Sequence, residues 1–138
     1  MDLSFAYTGI RVRDLDRSLA FYTKALGMKE ILRGTMSHGG VYVHLKGPGS
    51  SQRLELNWYP KGNRFARPYR KGEELDHLGF WTRDVVATYR RLLRDGAKVA
   101  VRPWREGRYE IAFVSDPDGI WIELLGPAKK RREANAKA

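Results

Sequence analysis

The residues best suited to chemistry in this sequence are two glutamates and a histidine. Glu55 stands in the stretch RLELN and Glu123 in IWIELL, so each carboxylate lies within an apolar strand pattern. Burying a carboxylate is costly unless it is paired or bound to a cation, and here the pattern occurs twice. The chain has no cysteine, so a metal must be held by carboxylates and by a histidine such as His77. Together these residues predict one divalent metal site, in preference to two solvated glutamates on a half-exposed sheet.

An internal repeat indicates how these residues come together. Residues 7–14 (YTGIRVRD) align with residues 77–84 (HLGFWTRD) at a shift of 70 positions. A helical pattern follows each segment, and Asp14 or Asp16 and Asp84 are natural N-caps for the two helices. Strand patterns then follow in both halves. The order βαβββ in each half predicts an α+β fold of two tandem modules.

The whole chain, residues 1–138, is predicted to form one domain. Module one covers about residues 5–58 and module two about residues 76–126. The join between them, about residues 58–75, is rich in Pro, Gly, Arg and Lys and is predicted to be a crossover linker. Residues 127–138 form a basic tail that is predicted to be solvated.

Strand alternation assigns the candidate residues to one face of the sheet. In the first strand of each module, apolar residues face the helices and the opposite face carries Tyr7, Gly9 and Arg11, and His77, Gly79 and Trp81. In the last strands, the same face carries Glu55, Asn57 and Glu123. Tyr7 with His77, and Glu55 with Glu123, are therefore repeat-related pairs on one side of the sheet.

Two segments carry a family resemblance. Residues 7–28, YTGIRVRDLDRSLAFYTKALGM, closely resemble the opening of glyoxalase I and its relatives in the vicinal oxygen chelate (VOC) superfamily. Residues 111–125, IAFVSDPDGIWIELL, resemble a segment near the end of the same proteins. The resemblance spans roughly residues 5–126 and implies the VOC or glyoxalase fold, in which two βαβββ modules form a concave mixed sheet with a cleft. It also implies a homodimer.

The four metal ligands of glyoxalase I correspond to Tyr7, Glu55, His77 and Glu123. The last three match, but glyoxalases carry His or Gln where this chain has Tyr7, and a neutral phenol is a poor ligand. The resemblance therefore implies a divalent metal (Zn, Ni, Fe, Mn or Co) with three protein ligands. Tyr7 is interpreted as a hydrogen-bonding group for a metal-bound water or the substrate, with simple aromatic packing as the alternative.

The chemistry that the resemblance implies is a glyoxalase I-like lyase or isomerase reaction. Two adjacent oxygens of the substrate chelate the metal, which stabilises an enediolate. Glu123 is the first choice for the base, and Glu55 is its symmetric partner. One alternative is an extradiol, ring-cleaving dioxygenase, which generally uses two His and one Glu around Fe(II); His44 could supply the second nitrogen. Another is a metal-free resistance-type protein that sequesters a ligand in the cleft.

Four further residues are predicted to contact the substrate: Arg11, Trp81, Asn57 and His44. Arg11 matches an arginine that contacts the glutathione carboxylate in glyoxalase I, although a structural ion pair is equally compatible. His44 either lines the cleft or is an ordinary half-buried strand residue. His38, in the loop SHGG, is predicted to be exposed to solvent.

Part of the net charge of +10 lies in the basic tail and the rest is dispersed, and no nucleic-acid-binding motif is present, so specific binding of nucleic acid is not expected. The positive charge would attract a small, anionic substrate. The sequence contains no membrane-spanning pattern and no signal peptide, so a soluble, cytoplasmic protein is expected. Six aromatic residues are predicted to be exposed and to support the homodimer: Trp58, Tyr59, Phe65, Tyr69, Trp81 and Trp104.

Overall fold

The computed structural model describes residues 2–130 and contains eight strands and two α-helices. The strands are β1 (Ser4–Arg11), β2 (Lys29–Thr35), β3 (Val41–Lys46), β4 (Arg53–Trp58), β5 (Leu75–Trp81), β6 (Lys98–Glu106), β7 (Tyr109–Ser115) and β8 (Trp121–Pro127). The helices are α1 (Leu15–Ala20), which continues into one π-helical turn (Phe21–Ala25), and α2 (Val85–Arg94). The predicted order βαβββ, repeated twice, is confirmed.

Both helices begin at the aspartates that the repeat indicated. The Asp14 carboxylate accepts from the Arg17 amide at 3.0 Å, and the Asp84 carboxylate accepts from the Ala87 amide at 3.0 Å. Each bond satisfies an amide of the first helical turn that has no partner within the helix.

The eight strands form one curved mixed sheet in the order β2-β3-β4-β1-β5-β8-β7-β6. Within each module, the first strand pairs in parallel with the last, as β1 does with β4 and β5 with β8. The two modules meet at the centre of the sheet, where β1 and β5 pair in antiparallel fashion. The repeated first strands therefore lie side by side, each with its module's last strand as the outer neighbour.

The two helices cover one face of the sheet, and each module has its own apolar cluster there. In module one, Val43, Leu45 and Leu56 are fully buried beneath the side chains of α1. In module two, Val85 and Tyr89 of α2 pack against buried residues of β7 and β8. Leucines that flank the two glutamates belong to these clusters. The predicted assignment of strand residues to the helix face is therefore confirmed.

The opposite, concave face forms a cleft of about 860 Å³. The linker between the modules forms part of its wall, since Tyr59, Phe65 and Arg67 line the cleft. Across the cleft, the Ser37 hydroxyl donates to the Glu106 carboxylate at 2.5 Å. This bond joins the β2–β3 loop to the end of β6, although β2 and β6 are the two outer strands of the sheet.

The expectation that six aromatic residues lie on the surface is wrong for most of them. Among the six, only Trp81 is exposed, at 38% of its surface. Tyr59, Phe65 and Trp104 line the cleft instead, because the linker and β6 turn these rings inward. Large apolar residues that are exposed include Phe5, Phe21, Leu26, Val99 and Tyr109. Across residues 2–130, none of the helices combines the length and apolar character needed to cross a membrane.

Candidate functional site

Two rows of residues, each running across four neighbouring strands, build the floor of the cleft. The first row contains His44, Glu55, Gly9 and His77, on β3, β4, β1 and β5. The second row contains Tyr7, Gly79, Glu123 and Phe113, on β1, β5, β8 and β7. Each row has a glycine between a ring and a carboxylate. The four predicted site residues therefore meet because the sheet places them in adjacent rows.

The two glycines make the close approach of the side chains possible. A Cβ atom added at Gly79 would lie 2.5 Å from Cζ of Tyr7, well inside van der Waals contact. A Cβ atom added at Gly9 would lie 3.0 Å from Cε1 of His77 and 3.0 Å from Nδ2 of Asn57. The rings of Tyr7 and His77 thus each lie over the glycine of the other module's first strand. This explains why the repeat carries a glycine two residues after each ring.

Glu55 contacts two imidazole rings at once. Its Oε2 lies 2.6 Å from Nε2 of His44, and its Oε1 lies 3.1 Å from Nε2 of His77. The residue is only 5% exposed. Burial raises the pKa of Glu55, but the hydrogen bonds to His44 and His77 outweigh burial and bring the pKa down to about 2. Glu55 is therefore a permanent anion at neutral pH.

Glu123 contacts His77 and Tyr7. Its Oε2 lies 3.4 Å from Nε2 of His77, and its Oε1 accepts a hydrogen bond of 2.5 Å from the Tyr7 hydroxyl. Burial and the negative charge of Glu55 raise the pKa of Glu123, against the opposing effect of His77. The two carboxylates therefore differ in proton affinity, which is the arrangement that lets one carry a proton while the other stays charged.

The phenol of Tyr7 stays neutral in this environment. Burial, followed by the charges of Glu123 and Glu55, raises the pKa of Tyr7 well above its ordinary value. Its hydroxyl is committed to Glu123 and also lies 3.2 Å from Nε2 of His77. Its observed partner is therefore a carboxylate of the site, and the predicted hydrogen bond to a metal-bound water or the substrate stays a prediction.

Asp76 is a site residue that the sequence reasoning missed. Its Oδ2 lies 2.8 Å from Nδ1 of His77 and accepts from the Tyr59 hydroxyl at 2.7 Å. Simple alternation would place Asp76 on the face opposite His77. A bulge in the β1–β5 pairing, where Gly9 faces His77 but Ile10 faces Leu75, makes Asp76 the extra residue and turns its carboxylate beside the ring.

The donors fit a divalent metal, although they now contact one another. Ligands bound at about 2.0–2.2 Å around one ion are about 2.9–3.5 Å apart, whether tetrahedral or octahedral. The distances from Nε2 of His77 to Glu55 and Glu123, 3.1 and 3.4 Å, fall in this range. Within residues 2–130, no group of three or more His, Asp or Glu side chains is arranged as a finished metal site. The direct contacts of Nε2 of His77 with Glu55 and Glu123 would be replaced by bonds to the ion.

The remaining predicted substrate contacts occupy different parts of the cleft. Arg11 lines it, but its guanidinium donates to the Glu73 carbonyl and lies 4.5 Å from the ring centre of Tyr69. Asn57 is buried on the floor and donates to the Ile10 carbonyl at 3.4 Å. Trp81 stands at the edge of the cleft. The structure brings all three to the cleft without testing their roles.

His44 and His38 both differ from the simplest expectation for them. His44 is 7% exposed and contacts Glu55, so it belongs to the site and is not an ordinary half-buried residue. His38 is half-buried and not exposed, because its Nδ1 accepts from the Gly40 amide at 3.2 Å. The Asn63 amide also donates to the His38 carbonyl at 2.7 Å, which holds the linker against this loop.

An aromatic wall completes the cleft on the side of module two. The centre of the Phe113 ring lies 5.5 Å from that of His77, in an edge-to-face arrangement. Three further ring centres surround Phe113, those of Trp121 at 5.2 Å, Trp104 at 5.9 Å and Phe65 at 6.3 Å. Arg64 and Arg67 of the linker lie over these rings, Arg64 over Phe65 and Arg67 over Trp121. Sequence reasoning did not find this wall, since its parts come from segments distant in the chain.

Comparison with known proteins identifies relatives of the whole domain. The family model described as the Glyoxalase/Bleomycin resistance protein/Dioxygenase superfamily matches residues 4–124. A probable lactoylglutathione lyase from Synechocystis is 33% identical over 136 residues, which cover 91% of this chain and 96% of that protein. A lactoylglutathione lyase from Neisseria meningitidis is 33% identical over 126 residues, covering 86% of this chain and 87% of the relative.

Solved structures agree with the same architecture. Methylmalonyl-CoA epimerase from Mycobacterium tuberculosis matches with a TM-score of 0.74 and 26% identity, covering 91% of this chain and 88% of that chain. A hypothetical protein from Bacillus halodurans matches with a TM-score of 0.75 at 17% identity, covering 94% and 98% of the two chains, which shows the shared fold alone.

Proposed function

Since the chain belongs to the Glyoxalase/Bleomycin resistance protein/Dioxygenase superfamily, we propose that it is a divalent-metal-dependent lyase or isomerase of the glyoxalase I kind. Relatives that are 30–33% identical to the chain include lactoylglutathione lyases and a probable lactoylglutathione lyase, and these relatives support an enzyme. The substrate on this proposal is a hemithioacetal, R–CO–CH(OH)–SR′, which carries two adjacent oxygens.

One observation carries the proposal: two buried carboxylates flank a single imidazole nitrogen. Glu55 and Glu123 approach Nε2 of His77 at 3.1 and 3.4 Å, and Asp76 holds the other ring nitrogen. A carboxylate behind the second nitrogen is the usual support of a metal-binding histidine. Glu55, His77 and Glu123 would hold the metal, and the metal would supply a Lewis acid that polarises both substrate oxygens.

Proton transfer is assigned to Glu123. Burial raises the pKa of Glu123, which suits a group that must accept a proton from carbon and return it to the neighbouring carbon. Glu55, whose hydrogen bonds to His44 and His77 lower its pKa to about 2, remains an anion and holds its position. The Tyr7 hydroxyl keeps Oε1 of Glu123 oriented until the substrate arrives.

The experiment measures metal content and activity together. The protein is purified without added metal, assayed with the hemithioacetal of methylglyoxal and glutathione, and then assayed after chelation and after return of Zn²⁺, Ni²⁺, Co²⁺, Mn²⁺ or Fe²⁺. We expect metal-dependent thioester formation, and we expect Glu123→Gln to lower kcat by about 10²–10⁴-fold. Glu110→Gln is the matched control, because Glu110 lies outside the cleft and its carboxylate is near Arg105 at 3.9 Å.

The proposal is contradicted if no metal supports thioester formation, or if Glu123→Gln and Glu110→Gln behave alike. A CoA thioester with an acidic carbon next to its carbonyl is the second substrate to assay. The methylmalonyl-CoA epimerase from Mycobacterium tuberculosis shares 26% identity with this chain, and epimerisation also requires proton transfer beside a carbonyl.

Extradiol cleavage is a second candidate function, favoured by the position of His44. Its Nε2 contacts the same carboxylate as Nε2 of His77, so two imidazoles and a carboxylate lie together, as Fe(II) dioxygenases require. The second carboxylate, Glu123, is not part of that ligand pattern. Incubation of the Fe(II)-loaded protein with catechol in air tests this function, and ring-opened product without thioester formation would replace the first proposal.

A further inference from the structure

The imidazole of His44 is buried with only one of its two ring nitrogens engaged. It stands on β3 directly across from Glu55 on β4, and its side chain is 9% exposed. Its Nε2 contacts Glu55 alone, and its Nδ1 is buried without a hydrogen-bond partner in the part of the chain that the structure describes. A histidine that serves only to stabilise a core normally has both ring nitrogens satisfied.

His44 lies beside Tyr7 and offers the site a nitrogen donor that Tyr7 does not. The two rings lie side by side, with centroids 4.7 Å apart, on the same floor of the cleft. The Tyr7 hydroxyl is committed to Glu123, so Tyr7 leaves one donor position of the site without a ligand. His44 and His77 hold the same carboxylate from two sides, since Nε2 of His44 contacts one oxygen of Glu55 and Nε2 of His77 contacts the other.

We propose that His44 is a fourth protein ligand of the metal, bound through Nε2, in addition to Glu55, His77 and Glu123. The donor set then contains two imidazoles and two carboxylates, with the second imidazole supplied by β3 in place of the residue at position 7. This inference rests on the proposed function, because it concerns the metal of that same site.

The contact between His44 and Glu55 is too short for both side chains to bind the same metal ion as they stand. Neighbouring ligands of one ion are about 2.9–3.5 Å apart, whereas Nε2 of His44 lies 2.6 Å from Oε2 of Glu55. The imidazole would therefore have to lie a few tenths of an ångström further from Glu55 for both groups to bind one ion. Nδ1 of His77 is supported by Asp76, but Nδ1 of His44 has no such support. His44 is consequently the weaker of the two imidazole ligands.

The test counts coordinated imidazoles directly. Each protein is loaded with Cu²⁺ as a spectroscopic probe, and pulsed EPR measures how many imidazole rings bind the ion. We expect two rings in the unmodified protein, one in His44→Gln and one in His77→Gln. His38→Gln is the matched control and keeps two rings, because the hydrogen bonds of His38 are with Gly40 and Asn63 and not with Glu55 or Glu123.

Zinc affinity provides a second readout on the same variants. We expect His44→Gln to weaken Zn²⁺ binding by about 10–100-fold, and His77→Gln to weaken it more, since only His77 has an outer carboxylate. Circular dichroism and thermal unfolding of each metal-free variant verify that it is folded. His44→Asn, with a shorter amide side chain, replaces His44→Gln if the latter does not fold.

One coordinated imidazole in the unmodified protein would overturn the inference, as would unchanged zinc affinity in folded His44→Gln. With hemithioacetal activity retained, either result leaves the proposed function standing and removes only His44 from the ligand set. A protein that binds neither Cu²⁺ nor Zn²⁺ would overturn the inference about His44, whereas the proposed function fails only if none of the tested metals supports thioester formation. The two failures are therefore distinguishable.

Discussion

Substitution of Gly79 by alanine tests whether the glycine exists to admit the ring of Tyr7. The added Cβ would lie 2.5, 2.6 and 2.8 Å from Cζ, Cε1 and Cε2 of Tyr7. Gly79 is not among the glycines with positive φ, so alanine causes no backbone strain and the effect is steric. Restoring an ordinary contact of 3.4 Å requires the ring to move by about 0.9 Å, which can lengthen the 2.5 Å hydrogen bond to Glu123 to about 3.4 Å and so weaken it.

The expected cost follows from these two events. Overpacking beneath the ring and weakening of a buried hydrogen bond together lower the free energy of unfolding by about 2–4 kcal/mol. For a domain of this size the corresponding fall in Tm is roughly 6–16 °C. Gly9→Ala is the matched control, with contacts of 3.0 Å to His77 and Asn57, and is expected to cost about 1 kcal/mol.

A double-mutant cycle with Tyr7→Ala isolates the contact. Without the ring, Gly79→Ala should cost less than about 0.5 kcal/mol, which gives a coupling energy of about 2–3 kcal/mol between the two positions. Urea unfolding of the four metal-free proteins, followed by circular dichroism, measures it. Equal cost of Gly79→Ala with and without the Tyr7 ring would refute the steric argument.

Four further outcomes are expected. Asp76→Asn should weaken Zn²⁺ binding by about 10–100-fold, measured by competition with a chelating dye, because His77 loses its carboxylate support. Tyr7→Phe should change zinc affinity by no more than about threefold and lower kcat by about 10-fold, because the hydroxyl orients Glu123 and is not a ligand. A large loss of zinc affinity would instead show that the phenol is a ligand. The hydrogen bonds that lower the pKa of Glu55 to about 2 stabilise the metal-free fold above pH 4.5, and this stability is lost as the pH falls towards 2. In Glu55→Gln, the free energy of unfolding should depend less on pH in this range. Light scattering should give twice the chain mass of 15.9 kDa, because several apolar side chains of the described surface are exposed, and a monomer at micromolar concentration would contradict this.

The site residues whose positions follow from strand alternation and from the repeat could be predicted from the sequence. Strand alternation alone places Glu55 and Glu123 on the face opposite the helices, and the repeat relates Tyr7 to His77. The family resemblance implied that these residues meet at one metal, but the β1–β5 pairing that brings them together was not predicted.

The parts that escaped prediction depend on irregular or distant contacts. Asp76 joins the site only through a bulge, which alternation does not represent. Phe65 reaches Phe113 and Trp121 from a linker that has no periodicity to analyse. The contact of His44 with Glu55 requires the β3–β4 register, in which the two residues face each other. Local patterns identify faces of a strand, whereas the partners across strands are fixed by tertiary structure.

The two modules meet within one chain, so the pairing of β1 with β5 forms in a unimolecular step. The modules are joined by the segment between Trp58 and Leu75, and they share the central seam of the sheet. A tethered partner is present at an effective concentration in the millimolar range, whatever the amount of protein in solution. Cutting the linker would turn assembly of the cleft into a bimolecular reaction, with an affinity set by the β1–β5 seam and the contacts across the cleft. Shortening it would instead favour exchange of modules between two chains, because β1 of one molecule offers β5 of another the same hydrogen-bonding edge.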